Sequence, residues 1–317
     1  MNTDRKTGRT DNTSDRGINR RKFIRRAAAT AGGLVILSRD KGSAAPSDRI
    51  RVATIGVGSM GKGHLEWFSA FPDVDVAAVC DVDQEHLAEA VKRLKERRPR
   101  SRVDSYSDFR RVCDRRDIDA ITCATPDHWH ALVAVEAFRA GKDVYGEKPL
   151  SYCAWEGRVM LENLKRYDRV FQLGTQIHAT DNYHRVVELV RSGALGEIHT
   201  VRLWMTGRSP GMGFPADCTP PDSLDWEMWL GPAPYANYNP ARCPGTFRYF
   251  LDYSGGVYQD FWCHIADVAF WALEPKGLRR IEARGEPPWN GIADAPEWIE
   301  VEFEFEGLKI HWTTNAP

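Results

Sequence analysis

A glycine-rich turn directly after a β-branched run constrains the fold of this chain more than any other feature. Residues 52–57 are apolar and strand-like, and Gly56-Val57-Gly58-Ser59-Met60-Gly61 leads from them into a helical pattern. In G-x-G-x-x-G the first glycine permits the tight turn, the second lets a pyrophosphate approach the backbone, and the third allows close helix packing. The helix N-terminus that follows favours phosphate. The motif therefore predicts a βαβ unit that binds a dinucleotide.

An acidic residue stands where such a unit needs one to bind the ribose hydroxyls. Asp81 follows the second strand-like run, residues 74–80, and lies 25 positions after Gly56. The sequence continues with Val82 and Asp83 and places no arginine beside Asp81 to hold a 2′-phosphate. This pattern favours NAD over NADP.

Strand-like and helical patterns alternate from residue 51 to residue 173, which is typical of a parallel sheet covered by helices. The predicted strands are residues 52–57, 74–80, 120–124, 143–145 and 170–173. The predicted helices between them are residues 62–70, 84–96, 108–115, 128–140 and 154–167. We predict an α/β, Rossmann-type doubly wound parallel sheet for this half of the chain.

The pattern changes after Gly174. The predicted order is a helix at 181–191, a strand at 198–205, a loop-rich segment at 207–250, a helix at 258–273 and a hairpin at 298–305 and 308–313. We predict a second, α+β domain with a large, mostly antiparallel open sheet, through which copies of the chain are expected to form a homo-oligomer.

The first 45 residues differ in composition from the rest of the chain. They carry eleven basic and four acidic residues, and Arg20-Arg21 precedes Phe23, an Ala/Gly-rich apolar stretch and Ser43-Ala44-Ala45. This segment resembles a twin-arginine export signal with a small-residue cleavage site. We therefore expect residues 1–45 to direct the protein through the twin-arginine export machinery to the periplasm; the alternative is a disordered basic tail.

Composition excludes several classes of partner. Outside the first 45 residues the net charge is minus eight, which gives no electrostatic reason to expect nucleic acid. The longest apolar run, residues 27–37, is far shorter than the roughly 20 residues of a membrane-spanning helix. The seven cysteines lack C-x-x-C or zinc-type spacing, so we expect no metal, and only Cys218 and Cys243 suggest a disulfide after export.

Two further polar segments follow predicted strands, where ligands bind in open α/β sheets. Thr125-Pro126-Asp127-His128-Trp129-His130 follows residues 120–124, and Glu147-Lys148-Pro149 follows residues 143–145. With the glycine motif, these segments resemble the Gfo/Idh/MocA family of nicotinamide-dependent sugar and polyol oxidoreductases. The resemblance implies an NAD(P)-binding domain at 46–174 and a substrate domain at 175–317, whose sheet is expected to be truncated because relatives continue through more strands.

The resemblance also implies roles for single residues. Lys148 would reach both cofactor and substrate, and the cofactor contacts would extend beyond the glycine motif and Asp81. These further contacts are expected at Thr125, Pro126, His130, Glu147 and Gln176. His128 is as compatible with an exposed loop as with a site.

Asp260 and His264 are four residues apart in a helical pattern and so share one face. A carboxylate neighbour raises the pKa of a histidine towards neutrality, as a general base requires. The resemblance gives His264 the proton transfer and Asp260 a supporting role. Two alternatives are a metal site that includes Asp267 and a structural histidine held by Asp260.

Aromatic residues are dense before the Gly255-Gly256 turn, and they favour a carbohydrate pocket, burial under the loop or an oligomer contact equally. They are Trp226, Trp229, Tyr235, Tyr238, Phe247, Tyr249 and Phe250.

Three functions are compatible with these residues. The first is hydride transfer from a CH–OH group of a sugar or polyol to NAD. The second is redox-neutral glycoside cleavage with a tightly bound NAD that is regenerated, and the third is a non-catalytic nucleotide-binding sensor. The intact set of Lys148, Asp260 and His264 argues against the sensor.

Overall fold

The first domain is a parallel sheet with a nucleotide-binding strand order. The computed structural model describes residues 49–99 and 101–315; the proposed export signal lies outside them. The strands are β1 (Ile50–Ile55), β2 (Val74–Cys80), β3 (Asp104–Tyr106), β4 (Ala120–Cys123), β5 (Asp143–Gly146) and β6 (Phe171–Leu173). They are all parallel, in the order β3-β2-β1-β4-β5-β6. The order reverses between β1 and β4, which opens a ligand crevice at their carboxyl ends.

Helices cover both faces of this sheet. They are α1 (Ser59–Ala70), α2 (Gln84–Arg97), α3 (Phe109–Cys113), α4 (Asp127–Arg139) and α5 (Ala154–Arg166). One apolar cluster forms around Leu65 and Val79, and another forms around Ile121 and Phe138. Because both faces are buried, the central strands are almost continuously apolar, as the sequence predicted. The doubly wound fold is confirmed.

The second domain combines helices with a mixed sheet. Its elements are a 3₁₀ turn (Gln176–Ala179), α6 (Asp181–Arg191), β7 (Thr200–Trp204), α7 (Trp226–Leu230), a second 3₁₀ turn (Thr246–Tyr249), α8 (Gly256–Leu273), β8 (Arg280–Glu286), β9 (Trp298–Phe305) and β10 (Leu308–Thr313). The strand order is β7-β10-β9-β8. β9 pairs antiparallel with β10, as predicted, and also with β8, which the sequence did not predict, whereas β7 pairs in parallel with β10.

The two faces of the second sheet differ in polarity because side chains alternate along each strand. Leu203, Ile310 and Trp312 are buried against Ala266 and Ala269 of α8. The opposite face carries ion pairs between Arg284 and Glu300 and between Lys309 and Glu302. Helix α8 is therefore fixed by the sheet beneath it.

The aromatic segment before α8 is largely a small core of its own. Trp226, Trp229, Phe247 and Phe250 are buried, and the two tryptophan rings stack with centroids 4.8 Å apart. Tyr235 is 81% exposed. Burial therefore accounts for most of these rings.

Cys80 and Cys123 are buried in the sheet, and Cys218 and Cys243 are both free thiols, so the suggested disulfide is not formed here.

In the part of the chain that the structure describes, none of the helices combines the length and apolar character needed to cross a bilayer.

Candidate active site

The glycine turn is shaped by backbone contacts that exclude larger residues. Gly56 has φ +78°, and a Cβ there would lie 2.6 Å from the carbonyl oxygen of Ala124. A Cβ on Gly61 would lie 1.9 Å from the carbonyl oxygen of Gly56. Gly58 precedes α1 without a side-chain cap, so the first amide groups of the helix have no side-chain acceptor. The turn is therefore suited to bind a pyrophosphate.

A cavity of about 510 Å³ opens in front of this turn, at the carboxyl ends of β1, β2, β4 and β5. Among the predicted cofactor contacts of the glycine motif, the cavity wall includes Gly56, Gly58, Ser59 and Met60 but not Gly61. Five further predicted residues also line it: Asp81, Thr125, Pro126, Glu147 and Lys148. Gly61 acts instead through close packing against Gly56. The opposite wall comes from residues 221–248 of the second domain, including Trp229, Phe247 and Arg248. A dinucleotide fits this combination of volume, uncapped helix end and acidic rim.

Asp81 orders the turn as well as lining the cavity. One carboxylate oxygen accepts from the amide of Val57 at 2.8 Å, and the other accepts from the amide of Asp83 at 3.0 Å. His86 of α2 approaches the same carboxylate at 3.6 Å, and its hydrogen bond to Asp81 raises the pKa of His86. His86 was not identified from the sequence. The contact of Asp81 with the ribose stays a prediction.

Glu147 is directed into the first domain as well as towards the cavity. Its Oε1 lies 3.0 Å from Nε2 of His64 on α1, and both side chains are buried. The other carboxylate oxygen, Oε2, is buried without a hydrogen-bond partner among the described residues. Sequence reasoning missed His64, because it lies between Lys62 and Glu66 in a helix of mixed polarity and belongs to no motif.

Lys148, Asp260 and Arg248 form a charged group where the two domains meet. Lys148 Nζ donates to Oδ1 of Asp260 and, at 3.2 Å, to the Asp260 carbonyl oxygen. Arg248 Nε donates to the same Oδ1 at 3.2 Å. Although burial alone raises the pKa of Asp260, Lys148 and Arg248 hold it below its usual value. Arg248 was not identified from sequence because it is separated from Asp260 by a turn and a helix start.

His264 lies one turn beyond Asp260 on α8, as predicted, but its electrostatics differ from the expectation. Burial and the positive charge of Lys148 lower the pKa of His264, and Asp260 only partly offsets them. The sequence argument predicted a raised pKa because it could not show that Asp260 is paired with Lys148 and Arg248. A lowered pKa keeps the imidazole neutral at neutral pH, the state that accepts a proton. Asp260 and His264 lie beyond Lys148, outside the cavity wall.

Two predicted cofactor contacts lie elsewhere. His130 is buried, with Nδ1 2.7 Å from the carbonyl of Pro149 and Nε2 2.9 Å from the carbonyl of Thr125. It therefore positions these two segments instead of lining the cavity. Gln176 is exposed on the 3₁₀ turn and also lies outside the cavity wall.

His128 is buried rather than exposed, and it joins the two domains. Its Nε2 lies 3.1 Å from the carbonyl of Trp229, and its ring packs on Trp229 and Tyr253. Burial lowers the pKa of His128 to about 4.

Asp267 does not join Asp260 and His264 around a metal. Its Oδ2 lies 2.7 Å from Nε2 of His178, while Asp260 binds Lys148 and Arg248. Across residues 49–99 and 101–315, no cluster of three or more histidine, cysteine or carboxylate side chains has a metal-binding arrangement.

Comparisons with known proteins agree with this architecture. Glycosyl hydrolase family 109 protein 1 of Shewanella sp. (strain ANA-3) is 30% identical over 203 residues, which cover 57% of this chain and 44% of that protein. An alpha-N-acetylgalactosaminidase of Shewanella oneidensis is 29% identical over 203 residues, with the same coverage. These matches span less than half the length of either relative.

The fold is shared with a solved structure of lower sequence identity. GenD2 from gentamicin A biosynthesis, in complex with NAD, has a TM-score of 0.64 and 20% identity, covering 90% of this chain and 70% of that one. The family model for the NAD-binding Rossmann fold of the oxidoreductase family matches residues 50–175, and that for its C-terminal alpha/beta domain matches residues 210–310. The chain therefore belongs to the Gfo/Idh/MocA oxidoreductase family, and its first domain is the family's NAD-binding domain.

Proposed function

We propose that this protein transfers hydride from a CH–OH group of a sugar, polyol or sugar derivative to NAD. The observation that carries the proposal is the position of Lys148, which lines the dinucleotide cavity and is paired with Asp260 one helical turn from His264. A cation and a neutral imidazole beside a nicotinamide site are the groups that alcohol oxidation needs.

Each residue has a separate task in this proposal. The start of α1 and Asp81 would hold NAD, which supplies the hydride-accepting carbon when bound. Lys148 donates a hydrogen bond to the substrate hydroxyl oxygen, and His264 accepts the hydroxyl proton. Asp260 is a positioning residue, because it fixes the Lys148 ammonium between the cavity and α8.

The test is turnover of a panel of sugars and polyols with NAD, monitored by NADH absorbance. We expect at least one substrate to reduce NAD, and we expect Lys148→Met and His264→Ala to abolish turnover without unfolding the protein. Normal turnover in both variants would overturn the assignment. NAD binding without conversion of any panel member would favour a non-catalytic sensor.

The curated relatives favour a second candidate, in which hydride is returned to the sugar after a glycosidic bond has been cleaved. Both relatives carry glycosidase names, and one is called an alpha-N-acetylgalactosaminidase. Released sugar without accumulation of NADH would support this candidate, whereas NADH formed in step with product would support simple oxidation.

The proposed export makes a tightly held cofactor useful, because free NAD is scarce outside the cytoplasm. We propose that the chain folds around NAD before twin-arginine transport and functions in the periplasm. Isolation from the periplasm with NAD(H) that survives dilution is the expected result. Periplasmic protein without nicotinamide and without a thermal shift on adding NAD would contradict it.

We also propose that copies of the chain form a homo-oligomer through the open sheet, and light scattering would test this.

A further inference from the structure

Arg248 lies on the cavity wall where the two domains meet. It belongs to the second 3₁₀ turn and lines the same cavity as Lys148 and the start of α1. The Arg248 side chain is 34% exposed, whereas the side chains of Lys148 and Asp260 beside it are largely buried. The proposed hydride transfer assigns no task to this guanidinium.

The Arg248 guanidinium is held in one orientation. Nε donates to Oδ1 of Asp260 at 3.2 Å, and Nη1 donates to the carbonyl oxygen of Gly245 at 3.1 Å. Its Cζ lies over the Phe247 ring, 4.7 Å from the centroid, where a cation is attracted by the aromatic face. These bonds use two of the five N–H donors of an arginine. The others, including both on Nη2, have no acceptor within residues 49–99 and 101–315, so they are available to a ligand in the cavity.

The charges that contact Arg248 do not cancel. Lys148 and Arg248 both donate to the same oxygen of Asp260, so two cations share one carboxylate. This trio carries an excess of one positive charge beside the proposed reactive lysine. An anionic group of a ligand would balance it.

Two further carboxylates line the cavity, and each has a partner of its own. Glu147 directs Oε1 to His64, and Asp127 is buried with Oδ2 accepting from Ser254 Oγ at 2.6 Å. Burial raises the pKa of Asp127, although Arg248 opposes this, so the charged form of Asp127 is disfavoured. Neither carboxylate accepts a hydrogen bond from Arg248 in the part of the chain that the structure describes. The free donors of Arg248 are therefore left to a ligand.

A carboxylate is the small anion that matches these donors, because a planar guanidinium binds it through two parallel hydrogen bonds. The pyrophosphate of the cofactor already has a site of its own at Gly58 and the uncapped start of α1. Arg248 is bonded instead to Asp260, which also binds Lys148. A group on Arg248 would thus lie at the reactive end of the cavity.

We propose that Arg248 binds a carboxylate of the substrate, and that the substrate is therefore a sugar acid, such as a hexuronic acid or a glycoside of one. The inference rests on the proposed function and deepens it, because it names the class of sugar. Lys148 and His264 act on the CH–OH group that is oxidised, whereas Arg248 selects sugars that also carry an acid.

The competing explanation is that Arg248 only positions Asp260. The two explanations differ in how a variant treats an acid and its uncharged analogue. The probes are methyl α-D-galactopyranosiduronic acid, its carboxamide and methyl α-D-galactopyranoside, with the same three compounds of the gluco series. NADH formation gives kcat and KM. Calorimetric titration of NADH-loaded protein, which cannot oxidise the probes, gives their dissociation constants.

We expect the wild type to bind the acid about 10- to 100-fold more tightly than the carboxamide, the usual range for charge-assisted hydrogen bonds. Arg248→Met should remove this preference by weakening binding of the acid and raising its KM. Arg248→Lys keeps the charge without the planar fork and should retain part of the preference. Asp260→Asn removes the anion that shares Arg248 and should tighten binding of the acid. Arg284→Met, which loses a comparable pair with Glu300 on the outer face of the second sheet, is the matched control and should keep the wild-type preference.

Equal binding of acid and carboxamide by the wild type would overturn the inference, as would equal losses for both compounds in Arg248→Met. Loss of the NAD-induced shift in melting temperature in Arg248→Met would place the guanidinium on the cofactor and would also overturn it. If Arg248→Met does not fold, Asp260→Asn decides, because weaker binding of the acid in that variant contradicts the inference.

The same measurements separate this inference from the proposed function. Wild-type protein that reduces NAD with the neutral glycosides and shows no preference for the acids would overturn the inference and leave the proposed function intact. Wild-type protein that binds the acids through Arg248 but reduces NAD with none of the six compounds would do the reverse.

Discussion

His64 Nε2 lies 3.0 Å from Glu147 Oε1, and this buried contact joins the helix of the glycine turn to the strand end that carries Lys148. The His64 ring also packs edge-on against Tyr145 of β5, with centroids 5.3 Å apart. The contacts of His64 therefore fix the position of the dinucleotide turn relative to the strand end that carries Lys148.

Replacing His64 by leucine should destabilise the protein. The substitution leaves the buried Glu147 carboxylate without its partner, and breaking a buried pair in this way costs roughly 3 kcal/mol. Urea denaturation measures the loss, and adding Glu147→Gln to His64→Leu should recover part of it. The exposed His199 offers a control, because His199→Leu should change the midpoint little. An unchanged midpoint in His64→Leu would show that the contact contributes nothing.

Lys148→Met should lower hydride transfer by about 100-fold or more, since it removes the hydrogen bond to the substrate oxygen. NAD should still raise the melting temperature, because the glycine turn and Asp81 are untouched. Lys309→Met, on the outer face of the second sheet, is the matched control and should be fully active. Activity of Lys148→Met close to wild type would remove Lys148 from the mechanism.

The acid limb of the pH profile should lie below pH 6.5. Burial and Lys148 lower the pKa of His264, so the imidazole accepts protons from substrate until the pH falls through that lowered value. Asp260 raises this pKa, so Asp260→Asn should move the limb to still lower pH. The measurement is kcat/KM against pH, and a limb above pH 6.5 would contradict the assignment of His264.

Asp81→Asn should weaken NAD binding, because the carboxylate is expected to bind the ribose and accepts from the amides of Val57 and Asp83. Calorimetric titration and the NAD-induced shift in melting temperature measure the effect. A hundredfold excess of ligand over its dissociation constant stabilises a protein by about 2.7 kcal/mol, so weaker binding lowers the shift directly. Asp83→Asn makes the same charge change two residues away and should keep the NAD-induced shift in melting temperature. If both variants lose this shift equally, the effect of Asp81 is a general electrostatic one.

His128 should make stability depend on pH. Its folded-state pKa is lowered to about 4 by burial, whereas the unfolded value is near 6.5, so the unfolded chain binds more protons between these values. Stability from this residue is complete above pH 6.5 and is lost as the pH falls towards 4, by roughly 3 kcal/mol at most. The comparison is between the wild type and His128→Gln, whose stability should fall less steeply over this range. Parallel curves would contradict the role given to His128.

The sequence predicted the elements of the first domain because buried parallel strands and the glycine turn leave strong local patterns. It missed β3 and β8 for a physical reason: Asp104–Tyr106 is short and polar, and Arg280–Glu286 is exposed along its whole length. Candidate site residues could be named from the sequence where a family-like motif carries them, as for Lys148 and His264, and their roles stay predictions. Residues that reach the site only through tertiary contacts could not be named from the sequence. Examples are His64, which contacts Glu147, Arg248, which contacts Asp260, and His178, which contacts Asp267.

The position of β10 in the second sheet sets an order of assembly during synthesis. All six strands of the first sheet have been made once residue 173 has emerged from the ribosome, and that domain can fold at this stage. The second sheet has to wait, because β10 lies between β7 and β9 and ends at Thr313. Until then β7 has no neighbouring strand and α8 lacks the buried Ile310 and Trp312 beneath it, so the nascent chain presents a finished dinucleotide domain before the surface that carries His264 is complete.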